Sequence, residues 1–220
     1  MNSDRLPGKV LRNVNGKPVI EYLIERLKKS NKIGKIIIAT SIEKEDQAIV
    51  DYCKGEKIEF FRGPLRNVAK RFKDAIEKYE LENFIRVCAD SPLIDPDIID
   101  AGIEIFRNGN YGIVTNTLKH TFPKGQSFEI LRSDIFNQGY QDMEDEDDFE
   151  HVTRHFYRNS HRFLIYNMET ETGDYSRVNL CIDIAEDLDL FNRILNKMNK
   201  PFLNYAWEEI VEIYRDIRGT

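Results

Sequence analysis

The sequence predicts an α/β fold in which helices cover an open parallel β-sheet. Two patterns in the first half of the chain indicate this class. Short apolar runs, such as KIIIATS at 35–41, alternate with longer segments whose apolar residues recur every three or four positions. A continuous apolar run is typical of a strand that is buried on both faces, and strand–helix alternation is typical of a parallel sheet.

The predicted elements follow one another without a linker, an internal repeat or a low-complexity segment. In order, we predict a helix from Pro18 to about 29, a strand at 35–41, a helix near 44–54, a strand at 58–63, a helix at about 67–79, a strand at 83–90, a helix from Pro96 to about 107 and a strand at 111–117.

The second half is less regular. It predicts a strand at 126–131, a short helix capped by Ser133, a helix that follows the acidic stretch 142–150 and runs to about 159, strands at 163–169 and 177–183, and helices at 185–197 and 205–217. We therefore predict a single domain over residues 1–220, with a small inserted β–α subregion at about 118–170.

The composition excludes several classes of protein. A net charge of −6 argues against a general nucleic-acid binder, which needs a basic surface for phosphate contacts. The three cysteines are far apart and odd in number, so a disulfide framework is not expected and the reducing cytoplasm is the predicted location. No apolar run reaches the length of a membrane span, so no membrane association is predicted.

Asp90 and Asp183 each follow a run of apolar strand residues. A carboxylate that emerges from a buried strand is costly unless it is paired or bound to a cation. Two such carboxylates at neighbouring strand ends would suit Mg²⁺, which takes one or two protein carboxylates and completes its shell with phosphate and water. The alternative is that each aspartate caps the helix that follows it.

The opening stretch SDRLPGK predicts an anion-binding loop. It places the Arg5 guanidinium, the bare backbone of Gly8 and the Lys9 ammonium within five residues, a combination suited to phosphate oxygens. The spacing is neither that of a P-loop nor GxGxxG. An exposed basic N-terminus without a ligand is the alternative interpretation.

Six segments in order, SDRLPGKVL, GKPVIEYLIERL, KIIIATS, RVCADSPLIDPDIID, EHVT and CIDIAEDLDL, resemble the sugar-activating cytidylyltransferases, in particular the SpsF-like spore-coat polysaccharide group. Enzymes that make CMP-sialic acid and CMP-Kdo are more distant members. The resemblance implies the nucleotide-diphospho-sugar transferase fold, a three-layer α/β/α sandwich with a mostly parallel, mixed sheet, and a homodimer. It also implies transfer of CMP from CTP to a sugar or sugar acid with Mg²⁺ as cofactor.

The same resemblance assigns roles to individual residues. Arg5, Lys9 and Asp90 are the implied catalytic residues, and Asp90 and Asp183 the implied Mg²⁺ ligands. The implied nucleotide-binding residues are Ser3, Arg5, Gly8, Lys9, Lys17, Arg62 and Arg71, and the implied substrate-binding residues are Gln126, Glu129 and His151.

Two departures from the family pattern affect these expectations. The family has a strand before the SDRLPGK loop, so we expect a strand before Met1 that lies outside the sequence. FPKGQSFEIL stands where the family reads DGLDxEV, so that Gln126 and Ser127 replace Leu and Asp and the identity of the sugar stays open.

Two other functions remain open at this stage. The chain could be a non-catalytic nucleotide- or sugar-binding subunit with the same fold. It could also be a glycosyltransferase of related fold, because Asp145-Glu146-Asp147 spells the DxD metal motif. This acidic run lies inside a polar stretch and does not follow a buried strand, so a solvated helix N-terminus is the favoured interpretation. For His151, a surface or packing role is the alternative to a contact with the sugar.

Overall fold

The computed structural model describes residues 5–219. The helices are α1 (Val19–Leu27), α2 (Gln47–Gly55), α3 (Val68–Lys78), α4 (Pro96–Asn108), α5 (Ser133–Gln141), α6 (Glu146–Glu150), α7 (Arg154–Arg158), α8 (Ala185–Lys197) and α9 (Trp207–Arg218). The strands are β1 (Asn13–Val14), β2 (Lys17–Pro18), β3 (Ile37–Ser41), β4 (Glu59–Gly63), β5 (Asn83–Arg86), β6 (Ile113–Thr115), β7 (Glu129–Arg132) and β8 (Ile165–Asn167). Among these residues, no helix combines the length and the apolar character that crossing a membrane requires.

The strands of the described chain form one short hairpin and two sheets. β1 and β2 pair as the antiparallel hairpin, and β3 pairs with β4 in parallel, with Ile37 opposite Glu59. The larger sheet has the order β5-β7-β6-β8, in which β7 runs antiparallel to both of its neighbours and β8 runs parallel to β6. The predicted mixed α/β architecture is confirmed.

Helices cover both faces of the larger sheet, as the three-layer prediction requires. Because successive side chains of a strand point to opposite faces, each strand contributes to two cores. Val114 and Ile130 belong to the larger core, with α1, α4, α8 and α9, whereas Ile113 and Leu131 belong to a smaller core with α3, α5 and α7. The segment 118–170 supplies β7, which lies between β5 and β6, and it is therefore part of the larger sheet.

Arg26 ties α1 to two distant segments. Its side chain is 1% exposed, and its guanidinium donates to the carbonyl oxygens of Ile94 at 2.5 Å, Phe202 at 3.1 Å and Tyr205 at 2.9 Å. These bonds satisfy backbone groups that would otherwise be buried without partners. The loop between β5 and α4 is thereby held against α1 and the C-terminal segment.

The structure contradicts three details of the predicted secondary structure. The segment 177–183 is not a strand, because only isolated backbone bonds, such as the Lys124–Asn179 bridge, connect it to its neighbours. The helix predicted to run to about 159 breaks into α6 and α7 at Val152, where φ is +26°. β5 ends at Arg86 rather than at 90.

We predict that Arg26→Met lowers the free energy of unfolding by about 3–5 kcal/mol, because it leaves three carbonyl acceptors, two of them in buried hydrogen bonds, without a donor. Chemical denaturation monitored by circular dichroism measures this loss. The matched control is Arg193→Met on the exposed face of α8, for which we expect a change within about 0.5 kcal/mol. Equal losses in the two variants would contradict the role given to Arg26.

Candidate functional site

The loop from Arg5 to Lys9 carries two cations to the edge of the sheet. Leu6 is buried in the larger core and anchors the loop, whereas Arg5 is exposed. Gly8 has a φ of 70°, a left-handed conformation that glycine adopts without steric cost, and a 3-10 turn over Lys9–Leu11 follows directly. This anchored turn places Lys9 against Asp90, in the loop after β5, and against Asp183, just before α8.

Asp90 and Asp183 lie beside each other at this edge. The backbone N–H of Ile182 donates to the carbonyl oxygen of Asp90 at 2.9 Å, which joins the two segments. Neither aspartate caps a helix. Asp95 provides the side-chain cap of α4, and Asp187 accepts from the N–H of Asp183 at 2.9 Å at the start of α8. The capping interpretation is therefore wrong, and the two carboxylates converge as the metal-site interpretation expects.

The four side chains of Arg5, Lys9, Asp90 and Asp183 form one ionic group, which we call the Lys9 cluster. Lys9 Nζ lies 2.7 Å from Asp90 Oδ2 and 2.8 Å from Asp183 Oδ1, and Arg5 Nη2 lies 3.4 Å from Asp183 Oδ2. The side chains of Lys9 and Asp90 are 16% and 24% exposed, against 66% for Arg5. A ligand can therefore reach the cluster from the Arg5 side.

The contacts within the Lys9 cluster favour the ionised forms of Lys9 and Asp183. Partial burial of the Lys9 ammonium disfavours its charged form, but the hydrogen bonds to Asp183 and Asp90 outweigh this effect and raise the pKa of Lys9. The hydrogen bond from Lys9, together with the charges of Lys9 and Arg5, outweighs the effect of partial burial and lowers the pKa of Asp183. Both groups are consequently ionised across the physiological pH range.

The donor set of the cluster fits Mg²⁺. Asp90 and Asp183 offer carboxylate oxygens that already share one cation, and carboxylates are the ligands that this hard ion prefers. Within residues 5–219, no group of three or more histidine, cysteine, aspartate or glutamate side chains is arranged to hold a metal ion. A site built from two carboxylates leaves the remaining positions for phosphate and water, which is the usual pattern for Mg²⁺.

Arg62 and Arg71 hold neighbouring loops instead of joining the Lys9 cluster. Arg62 donates to the carbonyl oxygens of Ser41 and Glu43, each at 3.0 Å, and so fixes the loop after β3. Arg71 donates to the carbonyl oxygen of Pro64 at 2.9 Å, and its buried Nε has no hydrogen-bond partner among the described residues. That free donor keeps Arg71 a candidate for nucleotide binding.

Lys17, a further predicted nucleotide contact, bonds to α1 and not to the Lys9 cluster. The Lys17 ammonium donates to Glu25 of α1 at 2.6 Å and lies over the ring of Tyr22. The structure thus gives Lys17 an intramolecular role in joining β2 to α1. Ser3 lies outside the described residues.

The structure corrects the prediction for Gln126, which is 0% exposed. Its Oε1 accepts from the backbone N–H of Asp95 at 2.7 Å, and its Nε2 donates to the carbonyl oxygen of Leu93 at 2.8 Å. The amide therefore satisfies two buried backbone groups of the loop before α4. Because protein encloses it, Gln126 supports the loop that follows Asp90 and does not face a substrate.

Glu129 is also buried, at 4% exposure, and lies in a polar network rather than on an open surface. Its carboxylate pairs with Arg86 and accepts from Thr153 Oγ1 at 2.5 Å and from the Tyr157 hydroxyl at 2.9 Å. Burial and the charge of Glu129 together raise the pKa of Tyr157. The described contacts give Glu129 a positioning role for these side chains.

Sequence reasoning missed Arg86, Thr153 and Tyr157. Arg86 interrupts the apolar run NFIRVCAD, and an arginine inside such a run requires a buried partner. Thr153 and Tyr157 are four residues apart, the spacing of one helix face. These signals mark the residues as candidates, but their common partner on β7 becomes visible only in the structure.

The remaining candidates lie on the helices after β7. His151 is exposed at the end of α6, and its carbonyl oxygen accepts from the Arg154 N–H at 2.8 Å. Asp145 caps α6 and accepts from Arg158 Nη1 at 3.0 Å, while Asp147 pairs with Arg154. The acidic run is thus a helix start neutralised by arginines, which weighs against a DxD metal site.

The chain is similar to known proteins over most of its length. The profile described as cytidylyltransferase matches residues 1–210. The spore coat polysaccharide biosynthesis protein SpsF of Bacillus subtilis is 27% identical over 205 residues, which cover 90% of this chain and 83% of that protein.

Solved structures share the fold. A cytidylyltransferase from Leptospira borgpetersenii matches with a TM-score of 0.93 at 24% identity, over 100% of this chain and 92% of that one. CMP:2-keto-3-deoxy-manno-octonic acid synthetase complexed with CTP matches with a TM-score of 0.68 at 16% identity, over 89% of this chain and 95% of that one. The predicted nucleotide-diphospho-sugar transferase fold is confirmed.

We predict that the Lys9 cluster makes stability depend on pH in acid. The lowered pKa of Asp183 means that its contribution is complete above the 3.8 of the free side chain and is lost as the pH falls through the lower folded value. Asp183→Asn should cost about 1 kcal/mol at pH 7, because solvent screens this partly exposed group, and the difference from the wild type should shrink below about pH 4.

Thermal melting between pH 3 and pH 8 measures this convergence. Asp189→Asn, an exposed carboxylate on α8, is the control, and its melting curve should follow that of the wild type at every pH. A constant difference between the wild type and Asp183→Asn down to pH 3 would contradict the coupling.

Proposed function

Because this chain belongs to the cytidylyltransferase family, we propose that it transfers CMP from CTP to a hydroxyl group of a sugar or sugar acid, with release of pyrophosphate. The observation that carries the proposal is the Lys9 ammonium, which bonds both Asp90 and Asp183 beside Arg5. Ligands of open α/β sheets bind beyond the carboxyl ends of strands, and Asp90 of this cluster lies in the loop after β5. The similarity to SpsF supports a role in the synthesis of a surface polysaccharide.

The reaction requires one displacement at phosphorus. The sugar hydroxyl oxygen forms a bond to the α-phosphorus of CTP, the bond from this phosphorus to the bridging oxygen of pyrophosphate breaks, and the hydroxyl proton is lost. No covalent bond to the protein is needed, since positioning and charge neutralisation do most of the work in such transfers. Arg5 and Lys9 supply positive charge for the triphosphate and for the departing pyrophosphate.

We propose Asp90 and Asp183 as the residues that hold Mg²⁺. The lowered pKa of Asp183 supports this role, because a metal ligand must be deprotonated. The ion would supply Lewis-acid stabilisation of charge on the phosphate oxygens. Lys9, whose present partners are the same two carboxylates, would then be free to bond phosphate.

The sugar side of the site is proposed to lie near the Glu129 network. The Tyr157 hydroxyl also contacts the hydroxyls of Thr115, at 3.1 Å, and Thr117, at 2.7 Å. This group of hydroxyls lies at the end of β6, on the strand next to β7. Hydroxyl groups held in fixed positions can exchange hydrogen bonds with a sugar, and Glu129 would act by orienting them.

The first test is catalytic. We predict that Asp90→Asn and Asp183→Asn each reduce Mg²⁺-dependent release of pyrophosphate from CTP at least about 100-fold, because each removes one of the two carboxylates that contact Lys9. A panel of sugars and sugar acids supplies the acceptor. The same variants should lose the rise in melting temperature that CTP with Mg²⁺ gives the wild type.

Asp189→Asn serves again as the control and should retain activity within about twofold. Turnover by both cluster variants close to the wild-type rate would exclude the proposed site. A wild-type protein that CTP and Mg²⁺ stabilise but that turns over no acceptor would favour the non-catalytic binding subunit. The pairing of Asp145 and Asp147 with arginines leaves the glycosyltransferase alternative with little support.

We also propose that the protein acts in the cytoplasm as a homodimer. Three apolar side chains are exposed near β8: Leu118 at 43%, Leu164 at 57% and Tyr166 at 36%. Leu164 directly precedes β8 and Tyr166 belongs to it, and β8 pairs only with β6 in the described chain. Exposed apolar residues beside a free strand edge favour association with another polypeptide. The dispersed cysteines support a reducing compartment.

We predict that Leu164→Lys shifts the dimer toward monomer by at least about tenfold in the dissociation constant, because it places a charge in an apolar contact. Sedimentation velocity over a range of concentrations measures the shift. Ile42→Lys is the matched control, since Ile42 is 61% exposed but follows β3, away from β8. A monomeric wild type, or an equal effect of both variants, would contradict this interface.

A further inference from the structure

The four carboxylate oxygens of Asp90 and Asp183 are all in contact with donors of the chain itself. Lys9 Nζ has the two short contacts, at 2.7 Å to Asp90 Oδ2 and 2.8 Å to Asp183 Oδ1. The other two oxygens have longer contacts, each 3.4 Å, with Ser91 Oγ and Arg5 Nη2. The Lys9 ammonium thus bonds the same two carboxylates that are proposed above to hold Mg²⁺.

The Lys9 ammonium cannot leave these carboxylates without a new partner. Its side chain is 16% exposed, and its backbone is fixed in the anchored turn, where its N–H donates to the carbonyl oxygen of Leu6 at 3.2 Å. A charged group that is largely removed from water is costly unless an opposite charge faces it. Arg5 differs, because its side chain is 66% exposed and water can replace its longer contact with Asp183.

The charges of the Lys9 cluster sum to zero, since it holds two cations and two carboxylates. A divalent ion on the same carboxylates would leave two positive charges without a counterion and would lie close to the ammonium, and like charges at short range repel. A triphosphate offsets both effects. Its negative charge balances the excess, and its oxygens accept strong hydrogen bonds from an ammonium group.

We propose that Lys9 is an internal competitor for the divalent ion and thereby couples binding of the ion to binding of the triphosphate. This inference rests on the proposed function for the nature of both ligands. Without a triphosphate the ammonium holds both carboxylates, and a divalent ion binds weakly. With a triphosphate the ammonium has a second anionic partner, and the carboxylates become available to the ion. Coupling between two ligands is reciprocal, so the ion also raises the affinity for the triphosphate.

This role predicts gains in affinity from removing charges inside the site. Loss of the Lys9 charge should strengthen the binding of a divalent ion when no nucleotide is present. Loss of the Asp183 charge should strengthen the binding of CTP when no metal is present, because it releases the ammonium from one of its two partners. A lysine that served only as a ligand of phosphate would produce neither gain.

The first measurement uses Mn²⁺ alone, because carboxylate oxygens suit Mn²⁺ as they suit Mg²⁺, and electron paramagnetic resonance counts the unbound ion. We expect Lys9→Gln to bind Mn²⁺ at least about tenfold more tightly than the wild type. Arg5→Gln is the matched control. It removes one charge from the same cluster at an exposed position, so its affinity should stay within about threefold of the wild type. Asp90→Asn added to Lys9→Gln should abolish the gain.

The second measurement is calorimetric titration with CTP, first in EDTA and then with excess Mg²⁺. We expect Asp183→Asn to bind CTP at least about fivefold more tightly than the wild type in EDTA, and less tightly than the wild type with Mg²⁺. This reversal of sign follows from one carboxylate that competes for Lys9 and also binds the ion. Asp189→Asn, on the exposed face of α8, should match the wild type in both conditions.

A third measurement keeps the test valid where the loss of the shared cation destabilises Lys9→Gln. A ligand that binds the native state raises the melting temperature. Mn²⁺ should therefore raise the melting temperature of Lys9→Gln more than that of the wild type, and it should restore a cooperative transition to a variant that is partly unfolded without it.

Three outcomes would overturn the proposal. The first is a Lys9→Gln variant that binds Mn²⁺ no more tightly, and gains no more stability from it, than the wild type. The second is an equal gain in Arg5→Gln, which would indicate a general effect of charge. The third is weaker binding of CTP by Asp183→Asn than by the wild type in EDTA. The Mn²⁺ measurements use no nucleotide, so they can fail while the pyrophosphate assay succeeds, and the reverse.

Discussion

The site depends on one ammonium group shared by two carboxylates. Lys9, Asp90 and Asp183 come from three distant parts of the sequence, and an ionic group that is partly removed from water is stable only when every member has a partner. The surrounding backbone meets this requirement. The turn at Gly8 places Lys9 at the site, and the hydrogen bond from the Ile182 N–H to the Asp90 carbonyl oxygen joins the other two segments. Asp187 accepts the hydrogen bond at the start of α8, so the Asp183 carboxylate stays available for Lys9.

This arrangement reconciles an acidic protein with a polyanionic substrate. A net charge of −6 repels a nucleoside triphosphate at long range, so attraction must come from a local group. The Lys9 cluster contains two cations and two carboxylates that neutralise each other, and a divalent ion bound by the carboxylates would leave both cations for phosphate. On the proposed mechanism, Asp90 and Asp183 would hold the ion, and Arg5 and Lys9 would be the charges that face the substrate.

The order of elements and the two candidate metal-binding aspartates could be predicted from the sequence because both follow from local patterns. Apolar periodicity located α1, α4 and α8 to within about two residues. It could not reveal that 177–183 bonds to its neighbours only in isolated places, because strand pairing depends on distant partners. Gln126 was misassigned for the same reason, since the backbone groups that its amide satisfies lie about 30 residues away. The expected strand before Met1 stays a prediction.

The separation of the two sheets bears directly on the nucleotide-binding candidates. Arg62 is fixed to the loop after β3, whereas Asp90 follows β5, so the two belong to sheets that no described strand pair connects. Side-chain packing connects the two sheets instead, because Ala69 and Ile76 of α3, the helix that follows β4, lie in the smaller core with Phe84 of β5. The position of Arg62 relative to the Lys9 cluster therefore depends on the packing of α3 against the larger sheet, and substitutions in this part of the core should affect the geometry of the site as well as stability.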